Sequence, residues 1–149
     1  MVASDAAAGD QLPGDHRPLN LVGALADDHQ RRLEQIEKAL SSPLWRDIEN
    51  ASLSGGEPTT RNDMVEICRV MIDKFPKLRK LTLNTTGITH HRAIPMLTKI
   101  VQLCNERNVI FSTRVSIDGV NDMHGRVRNV RNAFEKAGKT IAAMQELQK

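Results

Sequence analysis

Aromatic residues are scarce in this sequence, which has no tyrosine, one tryptophan and three phenylalanines. Proteins that bind single-stranded nucleic acid commonly stack bases on aromatic side chains, so that platform is missing here. Residues 61–149 carry 16 basic and 8 acidic side chains, a net charge of +8, which is the one feature that favours a polyanionic partner. We therefore do not expect nucleic acid to be the ligand.

Cysteine and long apolar runs are scarce as well. The two cysteines, Cys68 and Cys104, are 36 residues apart, which matches neither a CxxC metal motif nor a disulfide-rich framework. Both fall on the apolar faces of predicted helices. No apolar run approaches the ~20 residues of a membrane-spanning helix, and the N-terminus lacks the pattern of a secretory signal. The sequence predicts buried thiols, no metal site, no membrane association and a cytoplasmic location.

The hydrophobic pattern predicts a tail followed by alternating helices and strands. Residues 1–18 show no apolar periodicity and are predicted to be a flexible tail, with residues 19–149 forming one domain. The spacing of apolar residues predicts helices at about 27–41, 64–75, 94–104 and 127–144, and strands at about 51–54, 81–86 and 109–117.

This order, α-β-α-β-α-β-α with short connections, predicts an α/β fold with parallel strands and flanking helices. Two architectures remain open from the pattern alone: an open doubly wound sheet and an arc of a β/α barrel. In both, ligands bind at the carboxyl ends of the strands.

Each predicted strand ends in a polar cluster that contains glycine. The clusters are Ser54-Gly55-Gly56-Glu57-Pro58, Asn84-Thr85-Thr86-Gly87 and Ser116-Ile117-Asp118-Gly119. In a parallel sheet they converge on one edge, where paired glycines let a ligand approach the backbone and Glu57 offers a carboxylate to an amine. A zwitterionic ligand would suit this edge. The same residue types also fill ordinary turns for conformational reasons, and spacing leaves both interpretations open.

Three segments resemble strands of the radical S-adenosylmethionine (SAM) family. LSGGEPTTRNDMVEI resembles the second strand and helix, and VSIDGVNDMHGRVRNVRNAFEKAGKTIAAM resembles the fourth strand and next helix of the SPASM-type peptide- and sulfatase-maturing members. LTLNTTGI resembles the third strand, although Thr-Thr-Gly replaces the usual Thr-Asn-Gly, which argues against a role for Thr86. The resemblance covers about residues 52–135 and implies a partial (β/α) barrel of the radical SAM type.

The resemblance also implies a SAM site at the strand ends. Its residues would be Gly55, Gly56, Glu57, Pro58, Thr85, Ser116, Asp118 and Arg128. The first three would bind the amino group of the methionine moiety, and Ser116 and Arg128 would hold the ribose or the carboxylate. Arginine suits that task because its planar fork pairs bidentately with a carboxylate.

Several basic side chains have plainer interpretations. Without the resemblance, Arg128 is best interpreted as a solvated charge on a helix face. His90 and His91 are predicted to be exposed in a loop, with no partner at the spacing of metal ligands. His124 is predicted to cap or pack near a helix start.

Radical SAM enzymes cleave SAM with an electron from a [4Fe–4S] cluster, which a CxxxCxxC loop holds. Residues 1–50 contain no cysteine. The first hypothesis is therefore a fragment of a radical SAM enzyme that cannot cleave SAM alone, with a peptide or protein substrate, or a missing segment of the same enzyme, as its partner. The second is a degenerate, non-catalytic module that binds SAM or a peptide. The third is an unrelated α/β protein, such as a polyanion binder, with chance turn motifs.

Overall fold

The computed structural model describes residues 21–147, so the predicted tail at residues 1–18 lies outside the described residues. Helices and strands alternate along this part of the chain. The elements are α1 (Leu21–Leu40), β1 (Asn50–Leu53), α2 (Met64–Lys74), β2 (Lys80–Thr85), α3 (His90–Glu106), β3 (Ile110–Val115), α4 (Asp122–Arg128) and α5 (Ala133–Leu147), with short 3₁₀ turns at Pro43–Trp45 and Pro58–Thr60.

The three strands form one parallel sheet in the order β1-β2-β3. In its register, Ser52 lies beside Thr82, and Thr82 lies beside Ser112. Helices follow each strand and flank the sheet, as expected for parallel strands joined by crossovers. The fold is therefore α/β with a three-stranded parallel sheet, and the loops after all three strands lie at the same edge.

One face of the sheet forms the hydrophobic core with the helices. Leu81 and Leu83 of β2 are fully buried, and they cluster with residues such as Ile67 of α2 and Leu97 and Ile100 of α3. Because side chains alternate along a strand, every second residue of β2 and β3 faces this core. None of the helices within residues 21–147 has both the length and the apolar character needed to cross a membrane.

The opposite face of the sheet is polar. Its side chains are joined by hydrogen bonds between Thr82 Oγ1 and Ser112 Oγ at 3.0 Å and from Asn84 Nδ2 to Ser52 Oγ at 3.1 Å. We call this surface the polar face and define it by Asn50, Ser52, Lys80, Thr82, Asn84, Ile110, Ser112 and Arg114. Asn50, Ser52 and Arg114 are exposed, so this side of the sheet is accessible from solvent.

The predicted helix at about 127–144 was wrong as one element, because two helices occupy the segment. α4 ends at Arg128, and α5 begins at Ala133. Asn129 and Asn132 between them have φ values of 51° and 57°, in the left-handed region that asparagine tolerates better than most residues. Their backbone reverses the chain, which apolar spacing alone does not reveal.

The predicted loop at His90 and His91 was also wrong, since both residues lie in the first turn of α3. His91 is exposed, as predicted, whereas His90 is half-buried. α1 begins at Leu21, earlier than the start predicted from the positions of its apolar residues.

Candidate functional site

The loops after the three strands meet at one edge of the sheet, which we call the carboxyl edge and define as residues 54–58, 84–87 and 116–119. The hydroxyl of Thr85 donates to Oε1 of Glu57 at 2.6 Å, and the backbone N–H of Ser116 donates to the carbonyl of Thr85 at 2.9 Å. Thr85 therefore links the loop after β1 to the end of β3. Three of the predicted site residues, one from each cluster, are thus connected directly.

The carboxylate of Glu57 is the most heavily bonded group at this edge. Oε1 accepts three hydrogen bonds. Two come from Thr59, from its backbone N–H at 3.1 Å and from its hydroxyl at 2.6 Å, and the third comes from the hydroxyl of Thr85. Oε2 accepts from the backbone N–H of Thr86 at 2.7 Å and from its hydroxyl at 2.5 Å. A carboxylate offers about four lone-pair sites, so these five donors occupy its acceptor capacity.

The hydrogen bonds to Glu57 also set its charge state. Burial raises the pKa of Glu57, but the hydrogen bonds from Thr59, Thr85 and Thr86 outweigh that effect and hold the pKa below its ordinary value. The carboxyl group of Glu57 is therefore ionised at neutral pH. It contributes a negative charge to the carboxyl edge, although groups of the chain itself already donate hydrogen bonds to it.

Threonines surround this carboxylate and connect it to α3. Thr59 is fully buried, and its hydroxyl lies 2.7 Å from that of Thr89, the residue before α3. Thr85 also accepts from the backbone N–H of Gly87 at 3.0 Å. Thr86, for which the family pattern predicted no role in binding, serves here as a double donor to Glu57. Sequence reasoning predicted Thr85 but missed Thr59 and Thr89, whose only signal was the number of threonines near the strand ends.

The paired glycines present an open backbone beside Glu57. Both Gly55 and Gly56 are exposed, and a Cβ added to either would meet nothing within 4 Å. Gly55 has a φ of +135°, which side-chain-bearing residues rarely adopt. In the described part of the chain, the backbone of neither glycine forms a hydrogen bond with another backbone group. Pro58, by contrast, is buried as the first residue of a 3₁₀ turn and is not accessible to a ligand.

Asp118 and Arg128, two further predicted site residues, are paired with each other. Arg128 Nε donates to Asp118 Oδ2 at 2.5 Å, and Nη2 donates to Oδ1 at 3.2 Å. Both side chains are about one third exposed, at 32% and 30%. Arg128 is therefore not the freely solvated charge that the residue pattern favoured. Its guanidinium already holds a carboxylate of its own chain.

His124 supports the loop that carries Asp118. The imidazole is fully buried, and its Nδ1 accepts from the backbone N–H of Asp118 at 3.2 Å. Its Nε2 is buried without a hydrogen-bond partner in the described part of the chain. The prediction that His124 packs near a helix start is confirmed, since it lies in the first turn of α4.

Arg114 is a charged residue near the carboxyl edge that sequence reasoning did not single out. It lies on the polar face in register with Asn84, two residues before Ser116, and its side chain is exposed. None of the residues that define the polar face is acidic. The sequence signal for Arg114 is the alternation of side chains along β3, which places Ser112 and Arg114 on the face opposite Phe111 and Val115.

The two cysteines do not fit an iron–sulfur cluster. Cys68 and Cys104 are fully buried on α2 and α3, and burial raises their pKa values to about 12 and about 11. Cluster ligands are thiolates, so these protonated core thiols lack the required form. The prediction of buried, packing cysteines is confirmed. Within residues 21–147, no group of three His, Cys, Asp or Glu side chains could hold a metal ion.

Comparisons of the chain with protein-family models, with curated proteins and with solved structures found no match. What bears on function is therefore the geometry of the carboxyl edge, together with the three sequence segments quoted above.

Proposed function

We propose that this chain binds S-adenosylmethionine at the carboxyl edge, as the SAM-binding part of a radical SAM core. The observation that supports it most is the link from Glu57 through Thr85 to Ser116, which joins residues from all three strand-end clusters. Parallel α/β sheets bind small ligands at this edge, where backbone groups point outward. Exposed glycines beside a half-buried anion suit the amino-acid end of SAM.

In this proposal the ammonium group of SAM lies over Gly55 and Gly56. The exposed backbone there is open to a ligand, and the carboxylate of Glu57 supplies the attracting charge. Because five donors of the chain already bond Glu57, its main contribution is to fix the glycine loop and set the local potential. The ammonium donates its hydrogen bonds to the carbonyls of the glycines.

The ribose of SAM lies toward Ser116 and Asp118. The hydroxyl of Ser116 makes no hydrogen bond within the described chain, and a carboxylate such as that of Asp118 accepts hydrogen bonds from hydroxyl groups. Arg128 acts through Asp118, since their pairing fixes where the carboxylate points. These residues orient the ligand and perform no bond-breaking step.

Bound SAM supplies a sulfonium centre with activated carbon–sulfur bonds. Reductive cleavage of those bonds uses a [4Fe–4S] cluster, and the residues of this sequence do not fit one. The proposal for this chain therefore ends at binding. A partner polypeptide or a further segment would have to contribute the cluster ligands.

A second candidate is a non-catalytic module that binds SAM without any cluster. The observation that favours it is the burial of Cys68 and Cys104, which leaves the sequence without an accessible thiolate. Adding a segment with a CxxxCxxC motif, followed by anaerobic reconstitution with iron and sulfide, separates the two candidates. Uptake of a brown cluster close to bound SAM supports the radical SAM core, and failure to take up iron supports the non-catalytic module.

Calorimetric titration of the purified chain with SAM tests the proposed function. Replacing Glu57 with alanine should weaken SAM binding by about 1.5–3 kcal/mol, because the glycine loop loses the hydrogen bonds that fix it and the ammonium loses a nearby anion. Glu106→Ala, which removes an exposed acid at the end of α3, is the matched control and should bind like the wild type.

Because Glu57→Ala also disturbs the loop, Ser116→Ala provides a second test that keeps the backbone hydrogen bond to Thr85. It should lose about 0.5–1.5 kcal/mol of affinity, the contribution of one hydroxyl. A wild-type chain that does not bind SAM, or two site variants that both bind SAM as tightly as the wild type, would contradict the proposed function.

A further inference from the structure

The only guanidinium on the polar face is that of Arg114, and it has no partner there. The side chain is exposed and makes no hydrogen bond or ion pair with the described part of the chain. The polar face contains no acidic residue that could neutralise it. An exposed arginine on the polar face, with no acidic side chain beside it, is complementary to an anionic group of a ligand.

Arg128 is less available for the same task. Its guanidinium forms two hydrogen bonds to Asp118, so binding an external carboxylate would require that pair to separate. An external carboxylate at Arg128 would also lie close to the carboxylate of Asp118, and like charges at short range repel. Arg128 is thus neutralised by a carboxylate of its own chain, whereas Arg114 is not.

Arg114 is close enough to the carboxyl edge to contact a ligand bound there. Its Cα is in register with that of Asn84, one residue before Thr85. Along a strand each residue advances about 3.3 Å, so Arg114 lies about 7 Å below Ser116 on the same side of the sheet. The side chain of an arginine spans a comparable distance. Lys80, the other cation of the polar face, lies at the far end of its strand.

We propose that Arg114 binds the carboxylate of the amino-acid moiety of the ligand, which lies across the polar face with its ammonium at Gly55 and Gly56. This inference rests on the proposed function and adds a specificity residue that the family resemblance does not supply. The ligand class is an α-amino acid with a nucleoside attached through the side chain. Arg114 selects for the carboxylate, and the exposed hydroxyl of Ser52, which accepts from Asn84, is free to donate a further hydrogen bond on the same face.

The test compares two ligands that differ only in the carboxylate. Calorimetry on the full chain measures the affinities of SAM and of decarboxylated SAM for the wild type and for Arg114→Gln. The wild type should prefer SAM, and Arg114→Gln should lose about 10- to 100-fold in affinity for SAM, the effect of one charged hydrogen-bonding pair. Its affinity for decarboxylated SAM should change little, so the preference disappears.

Three further variants sharpen this comparison. Arg126→Gln removes an exposed arginine of α4 and should keep both the affinity and the preference of the wild type. Arg114→Lys keeps the charge but not the planar fork, so it should lose part of the preference. Arg128→Gln should weaken both ligands by the same factor, because it acts through Asp118 and the ribose. Melting temperatures confirm that each variant is folded.

The outcomes distinguish this inference from the proposed function. If the wild type binds SAM and Arg114→Gln keeps the full preference for SAM, the role of Arg114 is overturned and the proposed function stands. Loss of the preference in Arg128→Gln alone would assign the carboxylate to Arg128. If the wild type binds neither ligand, the proposed function fails and the role of Arg114 fails with it.

Discussion

The carboxylate of Glu57 accepts a hydrogen bond from the backbone N–H of Thr86 at 2.7 Å, although the two residues are 29 positions apart in the chain. One follows β1 and the other follows β2, so this contact crosses from loop to loop above the sheet. A carboxylate with five donors fixes both loops before a ligand arrives. Such preorganisation by supporting hydrogen bonds is what a precise binding site requires.

Replacing Glu57 with glutamine should lower the free energy of unfolding by about 1–3 kcal/mol. One carboxylate oxygen becomes an NH₂ donor, which then faces donors of the threonines and leaves at least one of them unpaired. Urea denaturation followed by circular dichroism measures the change. Glu106→Gln, at an exposed acid, should stay within about 0.5 kcal/mol of the wild type. Equal stability of the Glu57→Gln and Glu106→Gln variants would show that the hydrogen bonds to Glu57 contribute nothing net.

The stability that Glu57 contributes should depend on pH. Its pKa in the folded chain is below the ordinary value of about 4.3, since the threonine hydrogen bonds outweigh burial. The folded state therefore binds this proton more weakly than the unfolded state does. The contribution is fully present above the ordinary pKa and is lost as the pH falls through the lowered pKa.

Urea denaturation of wild type and Glu57→Gln at a series of pH values, from about pH 6 to about pH 3, measures this dependence. The stability difference between them should shrink toward the acid end of the series. A difference that stays constant across the whole range would mean that the folded pKa of Glu57 is not lowered.

Local hydrophobic spacing predicted the order of strands and helices well, because that signal is carried by neighbouring residues. The alternation of Leu81 and Leu83 with polar residues marked β2, and the spacing of Met64, Ile67 and Met71 marked α2. The break between α4 and α5 escaped prediction. Val127 continues the apolar pattern, yet 58% of it is exposed, so it does not belong to the core stripe.

The candidate site was predictable only in part. Glycine pairs and a carboxylate after a strand are visible in the sequence, and parallel topology brings such loops to one edge. The partners of Glu57 come from two loops, and the partner of Arg128 is a carboxylate ten residues earlier. Such pairings depend on tertiary placement, which spacing does not specify. Arg114 escaped notice because the absence of a counter-charge on the polar face becomes visible only once the strands are in register.

Cys68 and Cys104 should be unreactive toward thiol reagents in the folded protein. Both side chains are fully buried, and pKa values of about 12 and about 11 leave almost no thiolate at pH 8. Ellman's reagent should label neither residue in the native state and both in urea. Unfolding in the same assay provides the positive control. Rapid native labelling at either position would show that the helices open there, and would reopen the question of a ligand role for that thiol.

Gly87 should tolerate no side chain, whereas Gly138 should accept one. Gly87 has a φ of +68°, and an added Cβ would lie 2.9 Å from Val115 Cγ1 and 3.3 Å from the backbone of Ala137 in α5. Its carbonyl also accepts from the buried hydroxyl of Thr140 at 2.7 Å. Gly87→Ala should therefore lower the free energy of unfolding by about 1–3 kcal/mol, combining left-handed strain and overpacking.

Gly138 is the matched control because it lies inside α5 and an added Cβ would meet nothing within 4 Å. Gly138→Ala should raise the free energy of unfolding by about 0.5–1 kcal/mol, since alanine loses less backbone entropy in a helix. Urea denaturation of both variants gives the two changes directly. Opposite signs are expected, and a neutral Gly87→Ala would show that α5 does not pack tightly on the turn after β2. Because Gly87 follows Thr85 and Thr86, loosening that turn should also weaken SAM binding at the carboxyl edge.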